Sequence, residues 1–402
     1  MLDNKISWKA GMAIVMANMI GTGVFTSLGF QLLAVTNTWS IIILWGLGAL
    51  MAIAGAFTYS ELGTKLKRSG GEYHFLSATY HPLVGYLSGW TSLIIGFAAP
   101  IALASMALGA YVQKYISLPP HLIAIMAVLS VSFLHTFDLN KSSIFQNWTT
   151  YLKVLLIIIF VLLGLLLPAE DSGFSWGSSW KNEILLPSFA VSLVYVSYSY
   201  SGWNAAAYIV DEIRDVKRNL PIALTGGTII VSVLYILLQI VFLKQVNISE
   251  LEGKIEIGQI VAIEIFGYRG GQLVSGVIGF MLISSISAMV WVGPRVTKVM
   301  AKDYRIWSFL SRTNTNKVPV RAIWLQAALS IVMILTGSFD QILTYSGFIL
   351  QLFVTMTVIG LFIVRRKGSL KGFKSPLFPI PQIIFLIISI WILVYLSVDQ
   401  TS

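Results

Sequence analysis

Apolar residues run through this chain in long blocks separated by shorter polar ones. A helix crossing a bilayer needs roughly 20 mostly apolar residues. Eleven blocks meet or approach that length, near 8–32, 38–63, 83–112, 121–137, 147–168, 187–210, 221–244, 270–299, 320–337, 340–364 and 379–397. Lipid offers backbone N–H and C=O groups no partners, so each block is expected to be a helix. The longest outside loops, 169–186 and 245–269, are too short to fold alone. The chain therefore reads as one transmembrane domain over 1–402.

Composition agrees with that pattern. Of the 402 residues, 56% are hydrophobic and 11% charged, with a mean hydropathy of +0.80, against about 25% charged in soluble proteins. The net charge of +10 could suggest a nucleic-acid surface, but its distribution points elsewhere. With the N-terminus in the cytoplasm and the spans alternating, Lys114, Lys181, Lys244, Lys254 and Arg269 fall outside and the rest of the 27 Lys and Arg fall inside. This is the positive-inside pattern, so no nucleic-acid partner is expected. The expected setting is a plasma membrane, of the bacterial inner-membrane kind. The first apolar block lacks a small-residue cleavage site and is expected to stay as a span. The absence of cysteine excludes disulfides, iron–sulfur clusters, thiolate zinc sites and any disulfide-linked partner subunit.

Two spans contain residues that a lipid-facing helix avoids. The first carries Met19-Ile20-Gly21-Thr22-Gly23-Val24-Phe25, and the sixth carries Tyr198-Ser199-Tyr200-Ser201-Gly202-Trp203-Asn204. Glycine costs a helix about 1 kcal/mol, and Ser and Thr offer local hydrogen bonds to freed backbone groups. A unit of five helices has an odd count, so spans 1 and 6 enter from opposite sides. Paired breaks at these positions are the layout of an inverted repeat, here about 8–168 and 187–364 with an extra helix at 379–397. Unwound backbone at mid-membrane is tolerated where it lines a cavity. A half-helix starting after Gly21 presents free N–H groups and a positive dipole end, which suit a carboxylate. Half-helices ending near Met19 and Ser199 expose carbonyls, which suit an ammonium group. Together they describe a zwitterionic α-amino acid. The alternative is that Gly21 and Gly23 are merely close-packing residues.

Lys153 stands inside the fifth span, in Thr149-Thr150-Tyr151-Leu152-Lys153-Val154. An ionisable residue there points to function, whereas a lysine near the cytoplasmic end can also snorkel to the interface.

At these residues the chain resembles the amino acid–polyamine–organocation transporters, and within them the L-amino-acid transporter branch. The resemblance covers nearly the whole chain. It is carried by Ile20-Gly21-Thr22-Gly23-Val24-Phe25, Tyr59-Ser60-Glu61-Leu62-Gly63, Arg68-Ser69-Gly70-Gly71-Glu72-Tyr73, Tyr200-Ser201-Gly202-Trp203-Asn204, Asp211-Glu212, Arg218-Asn219-Leu220-Pro221, and Gly293-Pro294-Arg295 to Met300-Ala301-Lys302-Asp303. It implies an all-α, LeuT-like fold of two five-helix repeats and transport by alternating access. It implies that Gly21, Thr22 and Gly23 hold the substrate carboxylate and that carbonyls near Ile20, Tyr198 and Ser199 hold the amino group. Tyr198 falls where the family places an aromatic gate, and Asn204 where a side chain approaches the substrate. Lys153 matches a lysine whose ammonium takes the place of a sodium ion in sodium-independent relatives. The resemblance thus implies sodium-independent transport of small, neutral L-amino acids, as exchange or linked to protons.

Departures from the family pattern narrow this expectation. Ser201 stands where many members have Gly, and Tyr198 where they often have Phe. Both make the pocket more polar and narrower, and less suited to large aromatic substrates. Members usually carry twelve helices. Eleven are read here, which spares the ten-helix core and leaves a twelfth-helix dimer contact in doubt.

Other features add little chemistry. Glu61, Glu72, Asp211 and Glu212 sit at cytoplasmic helix ends, where solvated surface competes with a gate network to Arg68, Arg214 or Arg218. His74, His81, His121 and His135 lack metal-ligand spacing, and neither a nucleophile–base signature nor a phosphate loop is present. No catalytic residue, metal or cofactor is expected. A membrane enzyme would need a polar catalytic cluster at one face. A non-transporting amino-acid sensor would share the site and lack flux.

Overall fold

The computed structural model of the chain describes residues 5–113, 115–137, 139–169, 173–368 and 371–399. The outside position read for Lys114 and the chain end at 400–402 lie outside these residues. Among them the fold is all helical apart from one parallel bridge, Ile6 to Ile213.

The first span divides into α1 (Trp8–Met19) and α2 (Gly23–Leu32). It is followed by α3 (Thr38–Leu66) and the short α4 (Glu72–Thr79). The third span is α5 (Pro82–Thr91), a π-helical stretch (Ser92–Ala98) and α6 (Ala99–Val112). Next come α7 (Pro120–Leu134), α8 (Leu139–Leu166) and the loop helix α9 (Trp180–Glu183). α10 (Pro187–Tyr200) gives way to a 3₁₀ segment (Ala205–Glu212). α11 (Val216–Gln245), α12 (Ile248–Leu251) and α13 (Ile257–Asp303) follow. A 3₁₀ turn (Arg305–Leu310), α14 (Val320–Thr336), α15 (Phe339–Arg366) and α16 (Ile380–Asp399) complete the chain.

Among the described residues seven helices are long and apolar enough to cross a membrane, and Pro120–Leu134, Val320–Thr336 and Ile380–Tyr395 are shorter apolar helices. The sixth block is interrupted where the sequence reading placed its break, its regular helix stopping after 14 residues. One boundary differs from that reading. The eighth block begins earlier than 270. Residues 257–266 are already helical and bury Ile257, Val261 and Ala262, and the helix is bent at Gly267 with φ +70°. The polar run Tyr268-Arg269-Gly270-Gly271 hides that continuation when the chain is read as apolar blocks.

The packing places α8 against α1, α11 and α13, α11 also against α3 and α1, and α10 against α2, α3 and α15. Within α8 the helical period sorts the side chains. Lys153, Ile157 and Val161 fall on the buried face, while Leu155, Ile158, Leu162 and Leu166 are exposed on the lipid-facing side. The lysine is therefore aimed at the bundle by the same periodicity that keeps its neighbours in lipid.

Candidate functional site

The break in the first span is short. α1 ends at Met19, Ile20 leaves the helix at φ −72°, ψ 87°, and α2 restarts at Gly23. The N–H groups of Gly21, Thr22 and Gly23 fall between the two helical ladders and at the first turn of α2, where a helix leaves its donors unpaired. The break in the sixth span is longer. α10 stays helical through Tyr198 and Ser199 to Tyr200, and the chain opens at Ser201 (ψ 153°) and Gly202 (φ +97°).

The two breaks lock into each other through glycines. A Cβ on Gly23 would lie 2.5 Å from the Ser199 Cα, and one on Gly202 would lie 2.7 Å from the Asn18 carbonyl. Gly202 also needs its positive φ, which disfavours any residue with a Cβ. Serine side chains bridge the same contact. Ser27 Oγ lies 2.9 Å from Ser199 Oγ, and Gln31 joins Ser27 to the indole N–H of Trp45. The sequence reading did not single out Ser27 or Gln31. Their spacing of four on α2 is the signal that would have found them.

Between the breaks lies a cavity of about 100 Å³. A single water occupies about 10–15 Å³ by the same measure, so the space suits a molecule of several heavy atoms. Gly21, Thr22, Gly23, Tyr198, Ser199, Ser201 and Asn204 all line it. The structure thus brings seven of the nine expected site residues to one cavity.

Ile20 and Lys153 are the exceptions, and they meet each other. Lys153 is fully buried, so it does not snorkel. Its Nζ donates to the Ile20 carbonyl at 3.1 Å and to Ser285 Oγ at 2.8 Å, and Ser285 Oγ lies 2.6 Å from that carbonyl. The Ile20 carbonyl is engaged by α8 and α13, and Ile20, expected near the substrate amino group, is not among the residues that line the cavity. The Tyr198 carbonyl accepts from the Ser201 N–H at 2.9 Å, which leaves it a second lone pair. Among the described residues no acidic side chain pairs with Lys153. Its Nζ lies at the C-terminal end of α1, the negative pole of that half-helix.

Behind the other break stands a carboxyl. Glu72, the first residue of α4, is 4% exposed. Its Oε1 accepts from the Tyr59 hydroxyl at 2.8 Å and from Asn204 Nδ2 at 2.5 Å, and the same Nδ2 lies 3.1 Å from the Tyr208 hydroxyl. Burial pushes the Glu72 carboxyl above the usual carboxylate range, and hydrogen bonds, that of Tyr208 foremost, oppose the shift. Glu61 is also buried, against the reading of solvated surface. Arg365 grips both its oxygens at 2.8 and 2.6 Å, Lys65 reaches it at 2.7 Å, and the Ser375 N–H donates at 2.7 Å. Arg68 pairs with Asp303 at 2.5 Å, a partner the sequence reading did not consider. Asp211 and Glu212 are exposed as expected. Among the described residues no group of three His, Asp or Glu is placed to hold a metal.

Comparison with known proteins follows the same lines. A family model described as amino acid permease matches residues 6–401. The chain is 28% identical to the b(0,+)-type amino acid transporter 1 of Mus musculus, over 96% of this chain and 81% of the relative. It is 26% identical to the serine/threonine exchanger SteT of Bacillus subtilis (strain 168), over 98% of this chain and 91% of the relative. It is 25% identical to the cystine/glutamate transporter of Homo sapiens, over 94% and 77%. These relatives are transporters and not enzymes, as expected here.

Proposed function

This chain belongs to the amino acid permease family, and on that premise we propose that it carries small, neutral L-amino acids across a plasma membrane without sodium, by exchange. The observation that carries the reading is the cavity between two interlocked helix breaks. One wall is the donor-rich start of α2 at Gly21, Thr22 and Gly23, which suits the substrate carboxylate. With the Ile20 carbonyl engaged by Lys153, the amino group is left to the carbonyl side of the α10 break near Ser199 and Ser201.

Several features favour the finer points. The size of the cavity, with Tyr198 and Ser201 on its wall, favours small substrates. Lys153 rests its ammonium on the broken end of α1, where it replaces a coupling cation, so sodium has no place to act. Residues 8–168 and 187–364 form two oppositely oriented repeats that move against each other around the cavity, with the N-terminus cytoplasmic. Exchange is favoured by the relative named as a serine/threonine exchanger.

Uptake of a panel of labelled amino acids into proteoliposomes tests the reading. Small neutral amino acids are expected to enter in exchange for internal substrate at rates unchanged when choline replaces sodium. Counterflow with and without a pH gradient separates exchange from proton-linked carriage. Binding without flux would identify a sensor and end the transport reading.

A further inference from the structure

Asn204 lines the cavity, and both hydrogens of its side-chain amide are taken by protein partners. Nδ2 faces Glu72 Oε1 at 2.5 Å and the Tyr208 hydroxyl at 3.1 Å. The shape of an asparagine amide does not distinguish its oxygen from its nitrogen, so its surroundings must. Turned the other way, Oδ1 would face the Glu72 carboxyl oxygen, which already accepts from the Tyr59 hydroxyl at 2.8 Å. With Glu72 ionised, two acceptors at 2.5 Å repel. The amide is thereby held with Oδ1 as the atom left for the cavity.

Glu72 is well placed to enforce this. It belongs to α4, outside the apolar spans, and it is buried behind the 3₁₀ segment. Gly71 brings it there. A Cβ on Gly71 would lie 2.3 Å from the Tyr208 ring, and its φ is +56°.

We propose that Glu72 is a specificity-determining positioning residue. It fixes Asn204 so that the substrate side chain meets a hydrogen-bond acceptor, and the site prefers a small side chain bearing a donor, such as the hydroxyl of serine or threonine, over an apolar one of the same shape. This rests on the amino-acid transport reading and deepens it. Cavity size alone does not separate threonine from valine, which are nearly isosteric. A buried acceptor left unpaired does, by roughly tenfold.

The test uses the full chain in proteoliposomes and the ratio of threonine to valine uptake, as kcat/KM. The wild type is expected to favour threonine about tenfold. Glu72→Gln can donate to Asn204 as well as accept, which frees the amide to turn. Its ratio is expected to fall toward about 2, chiefly through threonine. Asn204→Ala is expected to give the same ratio, and Glu72→Gln added to it should change nothing further, since Glu72 acts through Asn204. Should Glu72→Gln fail to fold, Tyr208→Phe removes the other amide acceptor and is expected to lower the ratio about threefold.

An unchanged ratio in Glu72→Gln, or in Tyr208→Phe where that stands in for it, overturns the proposal. So does an equal fall for both substrates, which is the mark of a merely structural role. A wild type that takes up neither amino acid brings down the transport reading itself. Uptake with an indifferent ratio brings down this inference alone.

Discussion

The two helix breaks look alike in the sequence and are built differently. In the first span the gap is narrow, the helix resumes at once as α2, and the freed Ile20 carbonyl is held by the Lys153 side chain from α8. In the sixth span the gap is wide and leads into a 3₁₀ segment that is itself non-helical at Ile209. Its polar contacts come from side chains, with Glu72, Tyr59 and Tyr208 arranged around Asn204. At the first break the group that side chains hold is a main-chain carbonyl, whereas at the sixth it is a side-chain amide, that of Asn204. Mirrored topology does not require mirrored chemistry.

The largest effect is expected where the breaks touch. Gly202→Ala would force a Cβ toward the Asn18 carbonyl at a φ of +97°. Strain of this kind costs about 1–3 kcal/mol, and uptake is expected to fall by about a hundredfold in initial-rate assays. An unimpaired Gly202→Ala would show that the breaks do not need their close approach. Lys153→Ala addresses the first break alone. It leaves the Ile20 carbonyl without its cation, and uptake of every substrate is expected to fall about tenfold, with the threonine-to-valine ratio unchanged. A change in that ratio would mean that the two breaks do not divide their work as described. Ser285→Ala removes a single neutral partner of the same carbonyl and is expected to lower rates about threefold. The smallest effect is expected from Tyr59→Phe, which takes one donor from Glu72 and leaves Asn204 in place. A shift of about twofold in the threonine-to-valine ratio is the expected reading.

The membrane class was open to the sequence because it depends on averages over about 20 residues, and such averages survive local error. The same averaging blurred the ends. It missed the helical run of residues 257–266 before the bend at Gly267. Reading charge by position left snorkelling open for Lys153, which is fully buried, and placed Glu61 and Glu72 in solvent, although both are buried. Both acids lie at the ends of apolar runs, where a solvated position is the ordinary outcome, and only their partners Arg365 and Asn204, distant in the chain, show them to be buried.

By itself the sequence determined the solvent of this protein, the two places where its helices fail, and the lysine set among apolar neighbours, since each follows from local residue type and spacing. Tertiary structure alone decided which way the freed groups turn. The Ile20 carbonyl faces Lys153, and the Asn204 amide faces Glu72. A hydrogen bond is directional and has two ends, and here those ends lie 133 and 132 residues apart along the chain.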